Sequence, residues 1–257
     1  MTDFLPTPER QKQILSLLTR QGRLSVTEIV RQFSISEATA RRDLESLTSQ
    51  GKAQRVHGGV IAVGEAPPEL PILERENEQI EEKIHIGRAA AGLVADQETV
   101  FLGSGTTVLE VARHLRDHKG LTVITNSLPV VNILAGIQEI TVISLGGMLR
   151  ESELSFIGHI TEQALAEIRV DQVIMGTRGA SLEHGLTNDY LQETLTDRAI
   201  IKSGRQVIIV ADHTKVNRVA TAYLAPLESM HTLVTDSDVD QKFVQALKKQ
   251  GIQVVIA

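Results

Sequence analysis

The sequence predicts an α/β protein in two parts: a three-helix head ending in a glycine hairpin, and a larger body built on a mostly parallel sheet. Three observations carry that reading. Residues 1–62 hold three closely spaced helical patterns, then a strand, Gly58–Gly59 and a second strand. The remainder alternates continuous apolar β-type runs with helical patterns, the signature of a sheet covered on both faces. Between the two, Pro67, Pro68 and Pro71 fall within five residues, which neither a regular helix nor a central strand accommodates. The expected organisation is a head over 1–62, a linker over 63–71 and a body over 72–257.

Charge follows the same division. The formal net charge of −6 over 257 residues argues against a nucleic-acid partner when taken whole. Counted regionally, residues 1–62 carry nine basic and six acidic side chains, while residues 63–257 carry 17 and 26. A mildly basic head is thus joined to an acidic body. The absence of cysteine excludes disulfides, a catalytic thiol and cysteine-based metal sites, and a cytoplasmic location is expected. No apolar run approaches the roughly 18 residues of a membrane span, so no membrane partner is expected.

In the head, Pro8 stands where an early helical proline is tolerated, and Ile14, Leu15, Leu17 and Leu18 recur at helical spacing until Gln21–Gly22. Ser25 and Glu28 have the spacing of a capping box ahead of Ile29, Val30 and Phe33. After the turn Ser34–Ile35–Ser36, a third helix opens with Ala40, Leu44 and Leu47 on one side, closing at Gln50–Gly51. Its polar side carries Thr39, Arg41 and Arg42. A short helix of this kind, following a second helix and a three-residue turn, is a helix-turn-helix that fits a major groove, where Arg reads guanine or phosphate. The hairpin adds Lys52, Arg55 and His57 for backbone or minor-groove contact. The expected DNA-contacting set is Ser36, Glu37, Thr39, Arg41, Arg42, Arg55, His57, Gly58 and Gly59.

The body's β-type runs are Thr99–Leu102, Leu121–Thr125, Ile140–Leu145, Gln172–Met175, Gln206–Ala211, Thr232–Thr235 and Gln253–Ile256. Helical patterns fall at Glu82–Val94, Thr107–Leu115, Leu128–Ala135, Ile160–Glu167, Leu191–Lys202 and Asp238–Lys249. The first run enters Gly103-Ser104-Gly105-Thr106-Thr107 just before a helix, where glycines allow a tight turn and free amides and hydroxyls attract an anion. The loop lacks the G-K-[ST] of a nucleotide-binding loop and the G-x-G-x-x-G spacing, so it implies no nucleotide. Asn126 and Ser127, Gly146 and Gly147, Thr177-Arg178-Gly179 and Asp212-His213-Thr214-Lys215 follow later runs. In a parallel sheet such loops converge on one edge. Their small residues, hydroxyls and two cations suit a phosphorylated polyol. No cofactor or metal is expected; H-E-x-x-H spacing is absent, and His213 beside Asp212 is a single pair.

The stretch Ser36-Glu-Ala-Thr-Ala-Arg-Arg-Asp-Leu44, followed by Arg55-Val-His-Gly-Gly59, closely resembles the winged helix-turn-helix of the DeoR family of bacterial transcription regulators. The body is similar to the same family through Arg75 and Lys83 in E-R-x(7)-K, the Gly103–Thr107 loop, Asn126, Gly146–Gly147, Gly158, Gly185-Leu-Thr187, Glu193 and Asp212–Lys215. The resemblance implies a C-terminal domain like ribose-5-phosphate isomerase and the CoA-transferase fold, sensing a phosphosugar. Three positions depart from the family pattern: Ala40 where Ile or Val is common, Arg178 in place of an acidic residue, and Lys215-Val-Asn217 in place of Lys-Phe-Gly.

The function expected is a repressor of a carbohydrate or polyol operon, bound to double-stranded operator DNA and modulated by a phosphorylated sugar or polyol. It is expected to act as a homodimer or homotetramer, because such heads read repeated half-sites. The alternative is a phosphosugar isomerase with Glu193 as base and Lys215 as electrostatic partner. A DNA-reading head has no purpose in such an enzyme, and no catalytic residue is expected. The expected effector contacts are Gly103, Ser104, Gly105, Thr106, Thr107, Asn126, Ser127, Gly146, Gly147, Arg178, Glu193 and Lys215.

Overall fold

A computed structural model describes residues 6–21, 23–50, 52–56, 59–62 and 71–257. Gly22, Gly51, His57, Gly58 and residues 63–70 of the expected linker lie outside them. The chain divides into two compact units, Met1–Glu69 and Leu70–Ala257. Among the described residues no helix is long and apolar enough to cross a membrane.

The first unit runs α1 (Thr7–Gln21), β1 (Arg23–Ser25), α2 (Val26–Phe33), α3 (Glu37–Ser49), β2 (Ala53–Val56) and β3 (Gly59–Ala62), with sheet order β1-β3-β2. The capping box at α2 is complete: Glu28 N donates to Ser25 Oγ at 3.1 Å, and Ser25 N donates to Glu28 Oε2 at 2.7 Å. Ser34 ends α2 in the left-handed region, φ 51°, turning the chain toward α3, where Ser36 Oγ accepts from Thr39 N at 3.2 Å. Ile14, Leu18, Ile29, Ala40, Leu44 and Leu47 form the core, as the periodicity required. Strand β1 is an addition to the expected elements. Its three residues pair with β3 so closely that a Cβ on Gly59 would lie 2.2 Å from the Leu24 carbonyl oxygen.

The second unit begins with α4 (Ile72–Arg75) and α5 (Ile80–Ala91). It continues through β4 (Thr99–Leu102), α6 (Thr106–His114), β5 (Leu121–Thr125), α7 (Leu128–Leu134), β6 (Ile140–Ser144), β7 (Met148–Arg150), β8 (Ser155–Ile157) and α8 (His159–Ala166). There follow β9 (Val170–Met175), β10 (Gly179–Ser181), β11 (Gly185–Asn188), α9 (Leu191–Ser203), β12 (Gly204–Val210), β13 (Ala222–Ala225), β14 (Thr232–Thr235), α10 (Gln241–Lys249) and β15 (Gln253–Ile256). Seven parallel strands stand in the order β15-β14-β12-β9-β4-β5-β6. Alternate residues feed opposite layers. Val100, Leu102, Ile174, Ile208 and Val210 meet α5, α6 and α7, while Phe101, Val173, Met175, Val207 and Ile209 meet residues of α8, α9 and α10. Apolar burial on both faces is why these strands read as unbroken apolar runs.

All seven expected runs are strands. Two start earlier than expected, at Val170 and Gly204, because the ladder extends through polar and glycine positions, Gly204 facing Val170. The last helix starts later, at Gln241, because Asp240 caps it by accepting from Lys242 N at 3.0 Å. The β7–β8 hairpin and the antiparallel sheet β10-β11-β13 had no counterpart in the expected elements. Their five strands are three or four residues long: Met-Leu-Arg, Gly-Ala-Ser and Gly-Leu-Thr-Asn lack the β-branched density that marks a strand in sequence, and Ser-Phe-Ile and Ala-Tyr-Leu-Ala are too short to stand out.

Candidate functional site

On α3, Arg41 and Arg42 are exposed and Thr39 is half-buried at the helix start. Arg41 reaches back one turn to Glu37, Nη2 to Oε1 at 2.6 Å, an exposed pair worth little and easily opened by a phosphate. Asp43 points the opposite way. It is 2% exposed and clamps Arg10 of α1, with Nε to Oδ2 at 2.6 Å and Nη2 to Oδ1 at 3.2 Å, while Gln11 Nε2 donates to Oδ1 at 3.1 Å. The Arg-Arg-Asp sequence thus places two cations outward and one anion inward, and the anion fixes α3 on α1. Arg55 is exposed on β2, and Gly59 is buried by its approach to β1.

In the body, β4 leads to β5 and β6 on one side, while β9, β12, β14 and β15 stack on the other. The strand order reverses between β4 and β9, the place where open α/β sheets take ligands. The Gly103–Gly105 turn leaves β4 there and Gly176–Gly179 leaves β9, close enough that a Cβ on Gly176 would lie 3.9 Å from Ser104 O. Gly105 has φ 112° at the entrance of α6, a conformation that L side chains rarely adopt, and a Cβ there would meet no neighbour. The amides opening α6 therefore face this turn beside Thr106 and Thr107.

Beyond β5, Asn126 Nδ2 donates to Phe156 O at 2.9 Å, while Asn126 Oδ1, Ser127 Oγ and Ser155 Oγ are buried without a partner among the described residues. Gly146 and Gly147 pack on the first turn of α8, where Thr161 Oγ1 donates to Gly146 O at 2.8 Å and a Cβ on Gly147 would meet that hydroxyl at 2.2 Å. Arg178 is buried beside Glu153, Nη2 to Oε1 at 2.7 Å, and 3.9 Å from Asp189. Glu193 is ion-paired with Arg150. Lys215 stands at the end of a 3₁₀ turn capped by Asp212, whose Oδ1 accepts from Thr214 N at 3.0 Å.

Three members of this cluster are additions to the expected contacts. Glu153, 2% exposed in the turn between β7 and β8, holds Arg75 at 2.6 Å as well as Arg178. Lys83 Nζ donates to Arg75 O at 2.8 Å. Ile72 N donates to Ser152 O at 2.7 Å, so α4 is seated on the same turn. Arg75 and Lys83 were visible as family-pattern positions, whereas Glu153 sits in a turn with no sequence signature at all. His114 and His118 have the four-residue spacing of a metal-binding pair, but α6 ends at His114; His114 Nδ1 bonds Glu110 O at 2.8 Å and His118 Nδ1 lies 3.4 Å from Asp96. His213 pairs with Asp236 rather than its neighbour Asp212, Nδ1 to Oδ1 at 3.0 Å.

Burial dominates the electrostatics of the cluster. Burial lowers Lys83 to about 8, with Asp212 opposing and Lys215 and Arg75 adding to the shift. Burial likewise lowers Lys215 to about 8, Asp212 again opposing and Arg218, Arg178 and Arg75 reinforcing. Burial raises Glu153 and Asp189 against the pull of their arginines. Both lysine shifts come first from burial, and acidic groups stand among the cations: Asp212 acts on both lysines, and Glu193, Asp189 and Asp197 act on Arg178.

A model of the DeoR-like helix-turn-helix domain matches residues 10–65, and one of the DeoR C-terminal sensor domain matches residues 78–237. The chain belongs to the DeoR family. It is 35% identical to the transcriptional repressor AccR of Agrobacterium fabrum over 91% of both chains. It is 33% identical to the glycerol-3-phosphate regulon repressor of Escherichia coli over 96% of this chain and 97% of that one. Ribose 5-phosphate isomerase A of Neisseria gonorrhoeae aligns with 53% of each chain at 16% identity and a TM-score of 0.40. This DeoR-family chain is a DNA-binding transcription regulator and not an enzyme, and its head is the part that meets operator DNA.

Proposed function

We propose that the chain represses a carbohydrate or polyol operon and that a phosphorylated sugar or polyol, held at the β4–β9 switch point, sets its grip on the operator. The observation that carries this reading is the group of basic side chains Arg75, Lys83, Arg178 and Lys215, near enough to act on one another, with Arg178 in the Gly176–Gly179 turn that meets the turn after β4 at Ser104. The phosphate takes the α6 amides with Ser104, Thr106 and Thr107, and Lys215 and Arg178 supply charge. Asn126, Ser127, Glu193 and the Gly146–Gly147 segment meet the polyol hydroxyls. On the operator, Ser36, Glu37, Thr39, Arg41 and Arg42 enter the major groove, and Arg55 and His57 with Gly58–Gly59 approach the backbone or minor groove. The head is placed at 1–62, the linker at 63–71 and the body at 72–257, in a homodimer or homotetramer. The glycerol-3-phosphate regulon repressor among its relatives supports an effector of this class.

The test is a thermal-shift screen of the full chain against phosphorylated sugars and polyols, followed by operator binding with each hit. A stabilising hit that alters operator affinity without turnover supports the reading; no response to any phosphorylated compound rejects it. Arg41→Ala or Arg42→Ala should weaken operator binding roughly 10- to 100-fold while leaving the thermal shift intact. Thr106→Ala with Thr107→Ala should keep operator binding and blunt its response to the hit.

Proton linkage gives a second check. Lys83 and Lys215 release protons near 8 in the folded body against 10.5 in the unfolded chain, so the unfolded chain binds more protons between those values. Stability of the unliganded body is therefore expected to rise as pH climbs through that window. Affinity for a phosphate effector should instead fall above about 8, as the lysines lose charge. Lys215→Met should flatten both trends, and an effector affinity that is level from neutral pH to pH 10 would remove the lysines from the site.

A further inference from the structure

Arg75 and Arg178 converge on one oxygen. Each donates its Nη2 to Glu153 Oε1, at 2.6 Å and 2.7 Å, and all three side chains are buried. They come from three separate parts of the body: Arg75 closes α4, Glu153 sits in the β7–β8 turn, and Arg178 follows β9. A four-residue helix does not hold itself, and α4 is fastened to its surroundings. Ile72 is buried and its N donates to Ser152 O at 2.7 Å, Arg75 grips Glu153, and Lys83 Nζ reaches from α5 to Arg75 O at 2.8 Å. The joints on either side are strained. Leu154, next to Glu153, has φ 49°, and Gln79, between α4 and α5, has φ 50°. Residues with a Cβ keep the left-handed region only where their neighbours over-determine it, and such residues gather at switch regions. The body begins at Leu70, so α4 is its first described element along the chain from the head.

We infer that Glu153 couples the effector site to α4: an anion that takes Arg178 leaves Glu153 Oε1 to Arg75 alone, and α4 closes down on the β7–β8 turn. The sign follows from the charges. Two guanidiniums at one oxygen divide a single carboxylate and repel each other, and in a buried site salt screens neither effect strongly. An anion at Arg178 removes the competition and cancels part of the repulsion, so the Arg75–Glu153 pair strengthens. Lys83 adds a second tie, because Asp212 and Lys215 both act on the ammonium that holds the Arg75 carbonyl. The response to an anion is thus delivered to the element that follows the expected linker. It is also reciprocal: whatever loosens α4 weakens the hold on the anion by the same factor. The inference rests on the effector reading for the anion at Arg178, whereas the coupling from Arg178 to α4 belongs to the unliganded chain and is measurable there.

Hydrogen–deuterium exchange of the full chain reads α4 directly, with β15 at the far edge of the sheet as internal reference. In Arg178→Met, the amides of residues 72–78 should exchange about 5-fold more slowly than in wild type, the lower end of couplings between sites. In Glu153→Gln they should exchange faster, and in the variant carrying both substitutions the slowing by Arg178→Met should vanish. A helix that is merely packed in place shows additive effects, or none from Arg178→Met, and either result overturns the inference. If Arg178→Met does not fold, Arg178→Gln, which keeps polar ends without the charge, takes its place.

Inorganic phosphate is the probe for the ligand step on the wild-type chain. The result expected is a raised melting midpoint with slower exchange at residues 72–78 and unchanged exchange in β15. A raised midpoint with α4 exchange unchanged or faster overturns the coupling and leaves the effector reading standing. No rise with phosphate or with any phosphorylated sugar or polyol rejects the effector reading and this inference with it.

Discussion

Replacing Asp43 by alanine is expected to unfold the head and leave the body intact. Asp43 joins Arg10 and Gln11 of α1 to α3 in the interior, and its removal leaves the buried Arg10 guanidinium without its carboxylate. Breaking a buried pair from one side costs about 3–5 kcal/mol, against a total stability of only a few kcal/mol for a domain of some 60 residues. Head and body should melt as separate transitions in calorimetry, the first vanishing in Asp43→Ala and the second holding its midpoint. Operator binding is lost together with the first transition. Arg42→Ala provides the contrast: an exposed arginine contributes within about 0.5 kcal/mol, so the head should stay folded while operator affinity falls. Asp43→Ala melting like wild type would mean that α1 and α3 are held by the Ile14, Leu18, Ala40 and Leu44 core alone.

The contrast between Arg42 and Asp43 marks how far the sequence reaches. Ala40, Leu44 and Leu47 recur at helical spacing, so the buried side of α3 can be read directly, and Arg41 and Arg42 follow as outward-facing. The same periodicity places Asp43 among buried positions, but its partner Arg10 lies 33 residues away and no local pattern announces the pair. The parallel sheet shows a similar division. Its seven strands are visible because both faces are buried, and the alternation of strands and helices assigns their carboxyl-end loops to one edge. What joins those loops was not visible. Glu153 sits in a turn, Arg75 in a four-residue helix and Arg178 after β9, and only the fold brings two guanidiniums to one carboxylate. Arg178, expected as an effector contact, is therefore also a structural cation, and its charge is shared before any ligand arrives.

Removing Glu153 should separate those two roles. Burial, with the nearby Glu193, raises the carboxyl of Glu153 against the pull of Arg75 and Arg150, and a buried ion pair recovers little more than the desolvation of its ions. The net value of the bridge is accordingly small, but the cost of breaking it from one side is not. Glu153→Ala leaves two buried guanidiniums without their shared counter-charge, expected to cost about 3–5 kcal/mol and to lower the body's melting midpoint by on the order of 10 °C. Glu153→Gln keeps the volume and one acceptor oxygen and should lose less. Inorganic phosphate is the discriminating reagent, because the missing charge can be returned by an anion at the same place. Phosphate should raise the midpoint of Glu153→Ala more than that of wild type, by mass action on a site whose competing carboxylate is gone. A variant that melts with wild type would show that Arg75 and Arg178 are balanced by other groups. A destabilised variant that phosphate does not restore would show that these arginines hold the β7–β8 turn to α4 and do not face the effector.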